Sequence, residues 1–207
     1  AGVAAAAGEA VAFLDDDGLA APTWIGAFHE ALIRQGRPIV QGRILLEWQA
    51  PPPAWLRREL WPWLGLADQG PEPGPLRGEP HGGNLGVRRE VFEAVGVFCE
   101  TLGLGAAGLG EDSDFGRRAR SAGFEAAYAP DALMRHWVPR SRMTRGALLR
   151  RFFRSGLCQP LVESYQDPLG RMLLHLARLS VQRFVAGLLA ADPAGQMALW
   201  LAAAEHL

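Results

Sequence analysis

The chain has 207 residues, 49% of them hydrophobic and 21% charged, with a net charge of −1. That length and balance fit one soluble globular domain with a sizeable core, or one domain plus a helical extension, and carry no global signal for nucleic acid. All 21 basic residues are arginine, which removes any chemistry that needs a catalytic lysine, and two cysteines, Cys99 and Cys158, are too few and too far apart for a disulfide framework or a zinc site.

The longest apolar stretches are broken by Arg, Asp or Pro well short of the roughly 20 residues that a membrane-spanning helix requires. The opening AGVAAAAGEA lacks the basic start and long apolar middle of a signal peptide. It also lacks an initiator Met, so the expectation is a cytoplasmic chain that begins inside a longer protein.

Residues 1–7 read as the end of a helix stopped by Gly8. AVAFL (10–14) is a short apolar run with the character of a buried strand, and it ends in Asp15, Asp16, Asp17 and Gly18. Pro22 opens a helical pattern in which Trp24, Ile25, Phe28, Leu32 and Ile33 recur at helix spacing, with Gly36 as its stop. PIVQGRILLEW (38–48) reads as a strand. A short helix is expected near 54–61, followed by a mobile Gly/Pro-rich loop through Pro80. GGNLGV (82–87) leads into the helix RREVFEAV, closed by Gly96. A glycine-rich loop (103–110) feeds a second helix beginning EDSDFGRRARSAG. FEAAYAP and ALMRHWV read as two further short strands, and the pattern is helical from about Thr144 to Leu207. Strands and helices alternate through residue 137, so an α/β sheet is expected, with a domain over 1–140 and a helical extension over 141–207.

Three carboxylates directly after a buried strand are costly unless a positive group lies among them. Ligand sites of open α/β sheets lie beyond the carboxyl ends of strands, and Mg²⁺ or Mn²⁺ with oxygen ligands, completed by a diphosphate, fits such a place. A solvated acidic turn is the plainer alternative. Glu111, Asp112 and Asp114 stand at a helix start, where the dipole favours carboxylates and one of them can cap free N–H groups. Three exceed what capping needs. Phe115 and Ala119 should face the core from this helix, and Arg117, Arg118 and Arg120 the solvent.

Three blocks, GEAVAFLDDDGLAAPTWIGAF, GGNLGVRREVFEAVGVF and GEDSDFGRRARSAGFEAAYAPDALMRH, stand in the order and approximate spacing found in family 2 glycosyltransferases, and residues 1 to about 156 resemble that family. The resemblance implies a GT-A, Rossmann-like α/β sheet that here lacks its first strands, and transfer of a sugar from a nucleotide-diphosphate donor to a saccharide or lipid-linked acceptor, with inversion. By that resemblance Asp15 and Asp16 contact the nucleotide side of the donor. Asp17 of this DXD-type motif ligates the Mg²⁺ or Mn²⁺, His136 approaches the metal or diphosphate, and Arg142 assists at the donor. Asp112 becomes the general base with Glu111 beside it on the acceptor side, and Gly83 and Asn84 form an acceptor-side turn. One tension follows: a helix N-terminus lowers a carboxylate's pKa, whereas a base must hold a proton, so Asp112 needs burial or its acidic neighbours. The reading also demands that the Asp15–Asp17 turn and Asp112 face one cleft.

Between Ala132 and Val162 no acid occurs, whereas Arg135, Arg140, Arg142, Arg145, Arg150, Arg151 and Arg154 do. A solvated helical face would explain this. A phosphate-facing loop, or peripheral contact with the inner face of a membrane through this Arg-rich amphipathic helix, would also explain it. No QxxRW-type motif is visible, which favours a non-processive enzyme. Two rivals stand beside sugar transfer. FLDDDG also resembles the first motif of haloacid-dehalogenase-like phosphatases, with Asp15 as nucleophile, although the lysine those enzymes use is missing and Gly18 and Leu19 stand where they place a hydroxylic residue. The other rival is an inactive fragment or binding module.

Overall fold

A computed structural model describes residues 2–100, 102 and 110–151. Its centre is a six-stranded sheet made of β1 (Ala10–Leu14), β2 (Gly18–Ala20), β3 (Ile39–Trp48), β4 (Gly74–Pro75), β5 (Asn84–Arg88) and β6 (Ala126–Val138). The order is β1-β5-β3-β6-β2, with β4 also paired to β6. β5 runs antiparallel to both β1 and β3, β3 and β6 are parallel, and β2 and β4 run antiparallel to β6. The sheet is therefore mixed, and β1, β3 and β6 point the same way.

Helices cover both faces, as the alternating pattern demands. On one side lie α3 (Arg89–Val95) and α4 (Glu111–Ser121), whose Val91, Phe92, Phe115 and Ala119 pack on Ile39, Leu85 and Val87. Phe13 and Phe98 complete an aromatic cluster with Phe92 and Phe115. On the other side α2 (Trp24–His29) continues into a π-helical turn, Glu30–Arg34. Phe28 and Leu32, one turn apart, are buried there with Val40 and Ala132. The short α1 (Gly2–Ala5) lies at the start of the described chain.

The α/β expectation holds, with corrections of detail. β2 and β5 were not anticipated as strands. FEAAYAP and ALMRHWV form one strand rather than two, because the register break opposite Gly42 and Ile44 takes up Pro130 to Leu133 on β6 without ending the pairing. The Gly/Pro-rich stretch before Pro80 is tied down rather than loose: Ala67 bridges Ile44, Asp68 ion-pairs with Arg43 at 2.9 Å, and β4 pairs with β6. The Asp68 carboxyl, although burial works against its charge, is held below the ordinary value by its hydrogen bond from Arg43. The short helix near 54–61 is instead a 3₁₀ helix over Arg58–Leu64. Leu56, Leu60 and Leu64 make a separate core with Val138, Met143 and Leu148. Met143 and Leu148, placed beyond the expected domain end at residue 140, thus pack on the sheet domain. Most of the expected helical extension, from 152 to 207, lies outside the described residues.

Candidate active site

β1 ends at Leu14 and β2 begins at Gly18, so Asp15, Asp16 and Asp17 form the tight connection between them, closed by the Gly18 N–H donating to Asp15 O at 2.9 Å. Opposite it stands the turn that begins β5, where the Asp15 N–H donates to Gly83 O at 3.0 Å. Gly83 is required there by close approach: a Cβ at this position would overlap Asp15 Oδ2 and lie 2.9 Å from its Cγ. The neighbouring Gly82 N–H donates to Asp112 Oδ2 at 3.1 Å, while Asp112 Oδ1 accepts from the Ser113 N–H at 2.8 Å. Two consecutive glycines therefore carry Asp15 on one side and Asp112 on the other. The acidic turn and the start of α4 thus meet at the same glycine turn.

Asp17 is held from the far end of β6. Its Oδ1 lies 3.2 Å from His136 Nε2 and its Oδ2 3.0 Å from Arg142 Nη2, and Arg142 Nη1 lies 3.2 Å from the same His136 nitrogen. The pairing of Gly18 with His136 in the β2–β6 register brings the imidazole there. His136 is 7% exposed, and its Nδ1 is buried without a hydrogen-bond partner. It packs on Gly65, whose φ of +100° and lack of a side chain both matter, since a Cβ would lie 2.7 Å from Nδ1. Asp16 stands at the exposed tip of the turn, and His81 is exposed as well.

The charge balance of the cleft is acidic. Burial, then Asp17, push the Asp15 carboxyl above its ordinary pKa, aided by Asp16 and Asp112 and opposed by His136. Glu111, with Oε2 buried and unpartnered, is raised by burial and then by Asp112. A carboxyl with a raised native pKa binds more protons folded than unfolded, so stability falls as pH rises from its ordinary value through the raised one. Thermal melts between pH 4.5 and 7.5 should therefore show the wild type losing more stability across that interval than Glu111→Gln. Parallel curves for the two proteins would contradict the raised value.

The fit of a divalent cation can be read from the donor atoms. Two ligands at right angles, each about 2.0–2.1 Å from one Mg²⁺, stand about 3 Å apart, which is the spacing of Asp17 Oδ1 and His136 Nε2. No larger cage of His, Cys, Asp and Glu exists among the described residues, so the remaining positions would fall to phosphate oxygens and water, as Mg²⁺ commonly arranges. Asp17 and His136 thus offer two donor atoms at about that spacing, and the Arg142 guanidinium, which engages both residues here, is the cation an ion would displace.

Other expected site residues have different work. Asn84 is fully buried. Its Oδ1 accepts from Trp24 Nε1 at 2.7 Å and its Nδ2 donates to Arg43 O and Ala132 O at 3.0 and 2.8 Å. The expected contact with an acceptor sugar is therefore not supported; Asn84 joins α2, β3, β5 and β6 beneath the cleft. Asn84→Ala should destabilise the fold by about 2–4 kcal/mol, since it strands a half-buried indole N–H and two carbonyls, and urea unfolding measures this. Asp114 is buried against Arg118, which donates to it at 2.9 Å and also reaches the Val95 and Val97 carbonyls. Arg118 is thus not the solvent-facing group the helix pattern suggested. Arg117 and Arg120 pair with Glu79.

Two residues were missed. Gln41, 1% exposed, accepts from the His81 N–H at 2.6 Å and donates to Asn84 O at 3.1 Å, so it sets the glycine turn from below. A lone Gln within PIVQGRILLEW was the available signal. The other is Arg151, which joined only a general basic run in the sequence but acts electrostatically on Asp17, Asp15 and Asp112.

The sequence pattern described as "Glycosyl transferase family 2" matches residues 1–96, the part that carries the acidic turn and the glycine turn. The chain is also 30% identical over 152 residues, 72% of its length, to the succinoglycan biosynthesis protein ExoM of Rhizobium meliloti (strain 1021). Residues 1–96 belong to glycosyl transferase family 2. The chain spans 46% of the length of that relative. Within the family frame, the matched region ends at Gly96, so α4 with Glu111 and Asp112, and β6 with His136, join the site through the folded geometry rather than through the matched stretch.

Proposed function

We propose that this chain transfers a glycosyl group from a nucleoside-diphosphate sugar to an acceptor hydroxyl, with inversion at the anomeric carbon. The observation that supports the reading is the contact of Asp15 with Gly83 and of Asp112 with Gly82, two adjacent glycines that bring the acidic turn and the Asp112 carboxylate to neighbouring positions. Asp17 and His136 would hold Mg²⁺ or Mn²⁺. When bound, that ion offsets the charge growing on the departing diphosphate. Asp15 and Asp16 border the nucleotide side, and Arg142, now on Asp17, is placed to turn to a phosphate oxygen. Asp112 removes the proton of the acceptor oxygen as that oxygen attacks, with the Glu111 carboxyl beside it, pushed by burial above its ordinary pKa. The name of the relative suggests that polysaccharide biosynthesis is the setting, with a saccharide or lipid-linked acceptor. No helix of the described residues is long and apolar enough to cross a membrane; a peripheral contact through the arginine-rich helix remains part of the proposal.

Calorimetric titration with UDP and with GDP, each with and without Mn²⁺, tests this. Saturable binding that needs Mn²⁺ is the expected result. Absence of nucleotide binding, together with turnover of a generic phosphomonoester, would replace sugar transfer with the phosphatase reading; absence of both would leave a binding module.

A further inference from the structure

Backbone pairing between β3 and β5 runs from Ile39 to Gln41, which lies opposite Leu85, and stops there. The turn before β5, residues 81–84, is beyond that ladder. The Gln41 side chain continues it. Its Nε2 donates to Asn84 O at 3.1 Å and to Gly42 O at 2.8 Å, and its Oε1 accepts from the His81 N–H at 2.6 Å. Those partners fix which way the amide faces, because a flipped amide would set its NH₂ against an N–H and its oxygen against two carbonyls. A buried amide is costly unless its hydrogen bonds are made, and here the amide nitrogen and the oxygen are both used.

One side chain thus holds both ends of the glycine turn, which the Asn84 N–H closes by donating to His81 O at 3.3 Å. The two residues between those ends carry the acids: Gly83 O accepts from the Asp15 N–H, and the Gly82 N–H donates to Asp112 Oδ2. Just before the turn, Pro80 packs so closely on Gly116 of α4 that a Cβ there would lie 2.5 Å from Pro80 Cδ. That packing limits how far the turn can travel. The Gln41 amide sets the rotation of its peptide planes, and with it the aim of the Gly82 N–H and the Gly83 carbonyl. A rotation at either end would shift the partners of Asp15 and Asp112 together.

We propose that Gln41 is a positioning residue of the transfer site, one that sets the rotation of the glycine turn at which Asp15 and Asp112 stand ready for donor and acceptor. The inference rests on the sugar-transfer reading above. Gln41 lies beneath the turn and acts through Gly82 and Gly83. Tyr128, its register partner on β6, supplies the comparison. It is buried too, but its hydroxyl donates to Gly70 O at 3.1 Å and accepts from the Gln69 N–H at 3.3 Å, so its hydrogen bonds hold a different loop.

The test is calorimetric titration of the full 207-residue chain with UDP and with GDP, each with Mn²⁺, comparing wild type, Gln41→Met and Tyr128→Phe, alongside amide hydrogen exchange of the three free proteins. Gln41→Met is close in size and can bond neither end of the turn. It should weaken nucleotide binding about 10- to 100-fold, the usual cost of losing the outer partner of a binding group, at unchanged stoichiometry. Exchange at His81 and Gly82 should speed up beyond any change in the sheet core. Tyr128→Phe should keep the affinity within about threefold and speed exchange at Gln69 instead. Wild-type affinity in Gln41→Met, or equal losses in the two variants, overturns the positioning role while leaving sugar transfer standing; no UDP or GDP binding to the wild type overturns both. If Gln41→Met does not fold, the wild type decides. Exchange at His81 that UDP or GDP with Mn²⁺ slows supports the proposal, and exchange there unchanged by bound nucleotide overturns it.

Discussion

If Asp112 is the proposed base, replacing it by Asn should lower turnover by roughly 10²- to 10⁴-fold, the usual contribution of a positioned general base. Binding of UDP with Mn²⁺ should stay within about threefold of wild type, since Asp112 bonds the Gly82 and Ser113 N–H groups and not the Asp17–His136 pair. The amide keeps the size of the carboxylate and removes its ability to accept a proton. It is not free of structural cost. Asp112 accepts from the Gly82 N–H through Oδ2 and from the Ser113 N–H through Oδ1, and an amide can accept from only one of them. One backbone N–H loses its partner, which costs about 1–3 kcal/mol if it is buried. Nucleotide affinity separates the two effects, because a displaced glycine turn would carry Asp15 with it and weaken binding too. A fall in turnover at unchanged affinity identifies Asp112 as the base. Unchanged turnover would pass the role to Glu111, whose carboxyl burial pushes above its ordinary pKa.

Much of this site was legible in the sequence because its parts are local. Three acids after AVAFL mark a strand end whatever the partner strand is. EDSDFGRRARSAG carries its own helix pattern, and Phe115 and Ala119 are buried as that pattern requires. What stayed hidden depends on pairing between distant segments. β2 is three residues long and exists because Gly18 to Ala20 lie against His136 to Met134; no periodicity announces so short a strand. Pro130 and Asp131 look like a break between two strands, yet hydrogen bonding on either side carries β6 across them. The loop before Pro80 has the composition of a mobile segment, but Asp68 finds Arg43 and Gln69 accepts from the Arg77 N–H. Asn84 shows the converse. Its place in a GxN-like turn suggested contact with sugar, while the trans-sheet partners that consume its amide lie 41 to 60 residues away in sequence. The ties of Arg142 and the surroundings of Arg151 likewise need the fold, since composition records only that this stretch is basic.

Replacing Asp17 by Ala should weaken Mn²⁺-dependent UDP binding by more than about 100-fold, because loss of a direct ligand should exceed the 10- to 100-fold that second-layer changes cost. The effect on the fold should be small. Asp17 is partly exposed and its partner Arg142 more so, ion pairs of that kind contribute about 0–1 kcal/mol, and the buried His136 keeps Arg142 beside its Nε2 when Asp17 is lost. Melting curves without ligand should therefore nearly coincide, while the rise in melting temperature that UDP and Mn²⁺ give the wild type disappears, as mass action requires when affinity is lost. The same variant bears on Arg142. With Asp17 present, Arg142 must leave a 3.0 Å ion pair before it can meet a phosphate; with Ala at 17 it is already released. If arginine alone held the diphosphate, Asp17→Ala would bind UDP as tightly as wild type or more so, and without need of Mn²⁺. If the carboxylate and His136 hold an ion that carries the diphosphate in, binding collapses. Metal-free affinity in the Asp17→Ala protein thus decides whether the acidic turn is the donor's anchor or only the counterweight to its arginines.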